Sequence, residues 1–208
     1  TKVRAYTRGV SVLNYHGKLN VNANGTSIAN ATVEKSGLEL SYVGVGLVVL
    51  FAYAKGCFEA YVDTNGYSTT GAVTGTSEVR AYSIAVDTKY TAYAYAGVSA
   101  PTGGVSADIG VYEFNVNIGV AIVTTSALAG IMGGGIVGSS TAQDILVTAT
   151  GDTHAEAEVQ TPTIEVSGVS VAANVIIAIL RSSQLALAED VTIEQAKSLS
   201  VISNLNVL

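Results

Sequence analysis

Glu156 and Glu158 stand two residues apart in the run Ala155-Glu156-Ala157-Glu158. In a strand that spacing puts both carboxyls on one face. Clustered carboxylates on an outer face are what β-helical hydrolases and lyases use for proton transfer. Asp144 with Asp152, and Glu189 with Asp190, are the other acidic pairs. Equivalent positions elsewhere in the chain hold Asn30, Thr32, Tyr93 and Tyr95. The carboxylates therefore read as a variable, solvated face, and no catalytic residue is assigned. His16 and His154 fall in different repeats and have no cysteine partner at zinc spacing. No Gly-Gly-x-Gly-x-Asp calcium repeat occurs, and Gly133-Gly134-Gly135 lacks the Lys-Ser/Thr of a phosphate loop and reads as a flexible turn. The chain is thus expected to be no enzyme and to carry no cofactor and no metal.

Tyr93 and Tyr95 lie on the same variable face, with Tyr82 and Tyr90 nearby. Such rings stack between neighbouring strands, or offer a platform to a sugar or a protein. Tyr93, Tyr95, Glu156 and Glu158 are the candidate outer-face binding residues. Asn24-Gly25-Thr26 and Asn30-Ala31-Thr32 are glycosylation sequons, so Asn24 and Asn30 are candidate modification sites. Cys57 is the single cysteine, which excludes an intrachain disulfide and reads as a small buried hydrophobe.

These residues are placed by an internal repeat. The segment Lys18 to Val33 lies over Asp144 to Val159 without a gap, an offset of 126 residues from position 18 to position 144. Val21/Val147, Ala23/Ala149, Gly25/Gly151, Ala29/Ala155, Ala31/Ala157 and Val33/Val159 match. The offset continues through Glu39/Glu165, Ser41/Ser167, Val43/Val169, Val45/Val171, Val49/Val175, Ala52/Ala178 and Ala60/Ala186. A middle copy, Ala92-Tyr-Ala-Tyr-Ala96, sits about 63 residues after Ala29, with extra residues around Ser99 to Ser106. Matches on alternate residues are the mark of strands with one constant face. The constant positions are expected to point inward, with Gly25 and Gly151 at turns. Ser182 to Gln195, the best helical candidate, aligns with a strand and is read as one.

The expected architecture is all-β: a right-handed parallel β-helix, or β-solenoid, spanning 1–208 in repeats of about 63 residues at roughly 18–80, 81–143 and 144–208. Each repeat would hold about three coils of roughly 21 residues. An outer-membrane barrel would need bulkier lipid-facing strands, and a sandwich has no reason for the period.

Composition agrees. There are 10 Lys+Arg against 16 Asp+Glu, so no basic stripe exists for nucleic acid. There is no Trp and there are only 3 Phe among 49% hydrophobic residues, which suits a thin core of small side chains. The apolar run Val43 to Ala54 is shorter than the ~18 residues of a membrane helix, so no membrane span is expected. Both ends read as cut from a longer chain, with unpaired edges suited to end-to-end association.

The pieces Thr91-Ala-Tyr-Ala-Tyr-Ala-Gly-Val98, Val116-Asn-Ile-Gly-Val-Ala121, Gly168-Val-Ser-Val-Ala-Ala-Asn-Val175 and Glu189-Asp-Val-Thr-Ile193 resemble the repeat region of large bacterial filamentous adhesins of the leukotoxin-like type. Those adhesins alternate an Ala-rich strand, a glycine turn, a Gly-Val-Asn-Val-Ala-like strand and a Gly-Asp-Gly-like turn. The last element is only approximated, by Asp63-Thr64-Asn65-Gly66 and Glu189-Asp190-Val191. The resemblance implies export to the extracellular space or cell surface and a β-helical stalk with a structural or adhesive role. Its partners would be adjoining repeats or other copies end to end, and host or surface glycans or proteins. A self-assembling fibre subunit and a carbohydrate-binding or carbohydrate-active β-helix are the alternatives.

Overall fold

The computed structural model describes residues 1–34, 38–68, 70–99, 107–139, 143–160 and 164–208. Alternating small apolar and polar residues make these residues strands, with no helix among them: β1 (Lys2–Arg8), β2 (Val12–Glu34), β3 (Leu38–Asp63), β4 (Asn65–Tyr67), β5 (Val73–Thr76), β6 (Glu78–Ser99), β7 (Ala107–Met132), β8 (Ile136–Ser139), β9 (Asp144–Val159), β10 (Ile164–Glu189), β11 (Thr192–Glu194) and β12 (Ser198–Val207). Sheet A has the order β1-β3-β7-β10 and sheet B the order β11-β8-β6-β9-β12, with β2 on the other edge of β6. Every pairing in these two sheets is parallel. The chain passes from A to B and back, so each circuit lays one long strand in each sheet.

The 126-residue offset is the register of this stacking. Leu19 pairs with Ile84 and Ile84 with Ile145, while Ala52 pairs with Ala121 and Ala121 with Ala178. One circuit therefore takes a whole repeat, and the expected division into three short coils does not occur. The reason is strand length: β3, β7 and β10 each run 26 residues, so a repeat is used up by two strands and their corners. The middle copy is also shifted by two residues from its expected place, since Ala29 pairs with Ala94 and not with Ala92. The expected extra residues around Ser99 to Ser106 fall mostly outside the described residues.

Between the sheets lie two contiguous apolar clusters. One gathers Val21, Ala60, Val79, Ile84, Ile131 and Ile145, the other Leu50, Ala52, Phe58, Tyr90, Ala94 and Val123. In the second, Phe58 and Tyr90 stack face to face at 5.0 Å and 7°, both essentially fully buried. They occupy a slot cut by glycines. A Cβ on Gly25 would stand 2.5 Å from the Phe58 ring, and Cβ atoms on Gly56 and Gly151 would collide with Phe58 and Tyr90. Gly25 and Gly151 are thus strand-interior residues of β2 and β9, not turns. Tyr90, near the outer-face tyrosines in sequence, takes the inward position that those two glycines hold in the neighbouring circuits.

Corners close on short hydrogen bonds. The Thr64 amide donates to the Met132 carbonyl at 2.8 Å, and the Gly9 amide to the Asp63 carbonyl at 2.9 Å. Gly133, at φ +103°, opens a glycine corner held by Gly134 and Gly135 amides donating to Asn65 Oδ1 and Thr64 Oγ1. That turn, expected to be flexible, is pinned. The antiparallel hairpin β4–β5 leaves from the equivalent corner one circuit earlier, and Asp190 (φ +50°) turns it one circuit later.

The glycine slot is directly testable. Gly25→Val should lower the urea midpoint by the equivalent of about 1–3 kcal/mol through overpacking of Phe58. Gly75→Ala in the hairpin, where a Cβ meets nothing within 4 Å, should stay within about 0.5 kcal/mol of the parent.

Candidate functional site

On the outer face of sheet B, β6 and β9 bring the expected binding residues together. Tyr93 pairs with His154 and Tyr95 with Glu156 in Cα register. Because parallel strands set like positions side by side, the rings align: Tyr93 stacks on His154 at 5.2 Å and 9°, and on Tyr95 at 6.4 Å and 4°. The carboxylates lie along the edge of this stack. The Tyr93 hydroxyl donates to Glu156 Oε2 at 3.4 Å, and the Tyr95 hydroxyl to Glu158 Oε2 at 3.3 Å. His154 Nε2 lies 3.2 Å from Glu156 Oε2, and Gln160 Nε2 donates to Glu158 Oε1 at 2.6 Å. Tyr93 and His154 also line a depression of about 420 Å³ with Thr91, Asp152 and Leu208. Burial, and then the adjacent carboxylates, raise the pKa of both tyrosines above the usual value.

The free ring face of such a stack can lie against the apolar face of a sugar, and the carboxylates at its edge can accept hydrogen bonds from the sugar hydroxyls. Asn24 and Asn30 are both exposed on β2, in the rows of Lys89 and Tyr95. The remaining acidic pairs are dispersed. Asp144 accepts from Ser198 Oγ at 2.6 Å, Asp152 accepts from Asn206 Nδ2 at 3.3 Å, and Glu189 and Asp190 form a corner. Among the described residues no three His, Cys, Asp or Glu are grouped to hold a metal ion. Cys57 is half-buried on the outer side of β3, with its thiol donating to Glu59 Oε1 at 3.2 Å, and is not the buried hydrophobe expected. Glu59 is held below the usual carboxylate range, chiefly by its hydrogen bond from Arg4.

Sheet A holds two features that the sequence reading missed. Val43, Val45, Val49, Val169, Val171 and Val175 were expected inward as constant positions. They point outward, Val45 being 77% exposed. There the inward positions include Gly44, Gly46, Glu113 and Asn117 beside the apolar Val48, and Asn117 Nδ2 donates to Asn174 Oδ1 at 3.0 Å. The signal was present in the matches themselves, which change parity between Val49/Val175 and Ala52/Ala178. Beyond the apolar stretch, Lys55, Thr124 and Arg181 form one register row. They line a groove of about 400 Å³ together with Thr125, Ser126 and Ser182. The same 126-residue offset that revealed the repeat sets Arg181 over Lys55.

No protein-family model matches this chain, and neither a curated protein nor a solved structure matches it.

The raised tyrosine pKa values have a stability consequence. The fold favours the neutral phenols, so their contribution is complete below the unfolded tyrosine value and is lost as pH rises through the folded one. Denaturation midpoints should fall across that alkaline window. The 295 nm titration of Glu156→Gln should show Tyr93, and to a lesser degree Tyr95, ionising at lower pH than in the parent chain.

Proposed function

We propose that this chain is a segment of a right-handed β-solenoid, serving as a structural and adhesive part of a secreted bacterial surface protein. The observation that carries the reading is the winding itself, in which successive circuits stack in parallel with equivalent residues in register. A stack of this kind grows by adding circuits, each stabilised by its neighbours. Its end strands suit the same growth: within this chain β2 pairs only with β6, and β10 only with β7. Adjoining repeats, or further copies end to end, are the partners that such edges fit, and a self-assembling fibre is the limiting case. The constant inward residues of sheet B and the variable outward ones support an adhesive role for the outer face. Nothing in this role requires catalysis, a cofactor or a metal.

An extended rod and a closed globule respond oppositely to one added circuit. A chain in which residues 84–144 are duplicated in tandem should keep its strand circular dichroism and melt at or above the parent temperature. Loss of cooperative unfolding in that chain would overturn the solenoid reading.

A second reading, carbohydrate binding, is favoured by the Tyr95–Tyr93–His154 stack with its carboxylate edge. On a glycan array the parent chain should bind, and Tyr93→Ala should lose most of the signal while remaining folded. A parent chain that binds no glycan removes this second reading and leaves the first standing.

A further inference from the structure

Positive charge is concentrated at one end of the outer face of sheet A. The register rows from Lys55 to Asp63 carry Lys2, Arg4, Arg8, Lys55 and Arg181 against Glu59, Asp63 and Glu189. Five basic against three acidic residues make a net +2 there, in a chain whose net charge is −6. Arg4 is paired with Glu59 and Arg8 with Asp63. Lys55 and Arg181 are both exposed, and among the described residues neither is ion-paired with a carboxylate. They flank Thr124 on the strands either side of it, so their Cα atoms stand about 10 Å apart. Two cations at that spacing repel one another, and an anion seated between them is attracted by both.

Two grooves meet on this row. The larger, of about 400 Å³, is lined by Lys55, Thr124, Ser126, Arg181 and Ser183. Alternation turns the Thr124, Ser126 and Ser183 side chains to the same face as the two cations. The inward Thr125 is already engaged, donating to Ser182 Oγ at 2.9 Å. The smaller groove, of about 290 Å³, opens on the other side of the row and shares Thr124 and Arg181 with the first. Its remaining walls are Phe51, Tyr53, Ile122 and Ile179, with the two rings tilted 37° to one another. Arg181 therefore stands between a cationic, hydroxyl-lined groove and an aromatic one.

We propose that the two grooves form one site for a sugar that bears a tetrahedral oxyanion ester, a sulfate or a phosphate. The ester oxygens accept from Lys55 Nζ and from the hydroxyls of Thr124 and Ser126. The Arg181 guanidinium offers a planar fork that matches two oxygens of such a group. The ring lays its apolar face on Tyr53. Because Tyr53 is 44% and Phe51 58% exposed, a ligand here keeps one side in water. The hydroxylated side of a sugar suits that position, and the second face of an aromatic ring does not. The site rests on neither of the readings above, and Tyr93→Ala should leave it unchanged.

Amide chemical-shift titration of the parent chain with glucose 6-sulfate and with glucose 6-phosphate tests it. At low ionic strength at least one ester should saturate with a Kd of about 1 mM and move the amides of Lys55, Thr124 and Arg181. Glucose itself should bind at least about 10-fold more weakly. Lys55→Ala and Arg181→Ala, both at exposed positions, should each weaken the ester by about 10-fold. Lys89→Ala, on the outer face of sheet B, should not. Tyr53→Ala should weaken the sugar ester and leave binding of the corresponding inorganic anion unchanged. Failure of both esters to saturate, an unchanged Kd in both cation variants, or tighter binding of tyrosine O-sulfate than of either sugar ester would each overturn the proposal.

Discussion

Parallel stacking in register is the constraint on which the rest of the structure depends. Each residue has its equivalent about one strand spacing away in the next circuit, so a change at one position is felt by two neighbours. Inward positions are consequently small and repeated, as in the row Ala29–Ala94–Ala155. Where bulk does enter, neighbouring circuits must give way. Tyr90 is flanked in its own row by Gly25 and Gly151, and Phe58 is stacked on it from the other sheet. The same accommodation operates for charge. Arg80 pairs with Glu78 on its own strand and reaches Glu194 at 2.6 Å across Gly138, where a Cβ would press on the guanidinium at 3.0 Å.

The two sheets use their outer faces differently. Sheet B has a conventional distribution, with small apolar residues inside and Tyr, His, Glu, Asn and Lys outside. Its rings therefore come into stacking distance without any special device beyond register. Across the rows of Val43 to Val49, sheet A carries Gly44, Gly46, Glu113 and Asn117 among its inward residues and valine, leucine and phenylalanine outside. One face is suited to solvent and polar ligands, and the other sets exposed apolar side chains beside a cationic row. The two surfaces belong to the same circuits, so occupancy of one leaves the other accessible.

Much of this was legible in the sequence. Alternation gave the strands, because a period of two survives in every copy; the segment Ser182 to Gln195, read as one strand, is strand only to Glu189 and then turns at Asp190 before the short β11. The offset between Lys18 and Asp144 gave the register across two circuits. The length of a single circuit was not legible, because the two circuits within the offset are unequal: Leu19 to Ile84 spans four residues more than Ile84 to Ile145. Glycine was misread for a physical reason. In sequence Gly25 and Gly151 look like turn residues, and only the position of Phe58 and Tyr90 shows that they serve clearance. The facing of sheet A was misassigned because β-branched repetition marks a constant face without saying whether that face meets a core or another surface.

The hairpin β4–β5 shows how such a winding can diversify. The chain leaves at Thr64 and returns at Ser77, whose amide donates to the Thr64 carbonyl at 2.7 Å and whose hydroxyl donates to the same oxygen at 2.9 Å. Departure and re-entry thus share one point, and the later circuits make the same corner with a few residues. Anything spliced between those two points leaves the paired strands undisturbed and hangs from the corner as a pendant. Its length and sequence are uncoupled from the pitch of the winding, so this corner is a natural port for grafting a whole domain or a display epitope.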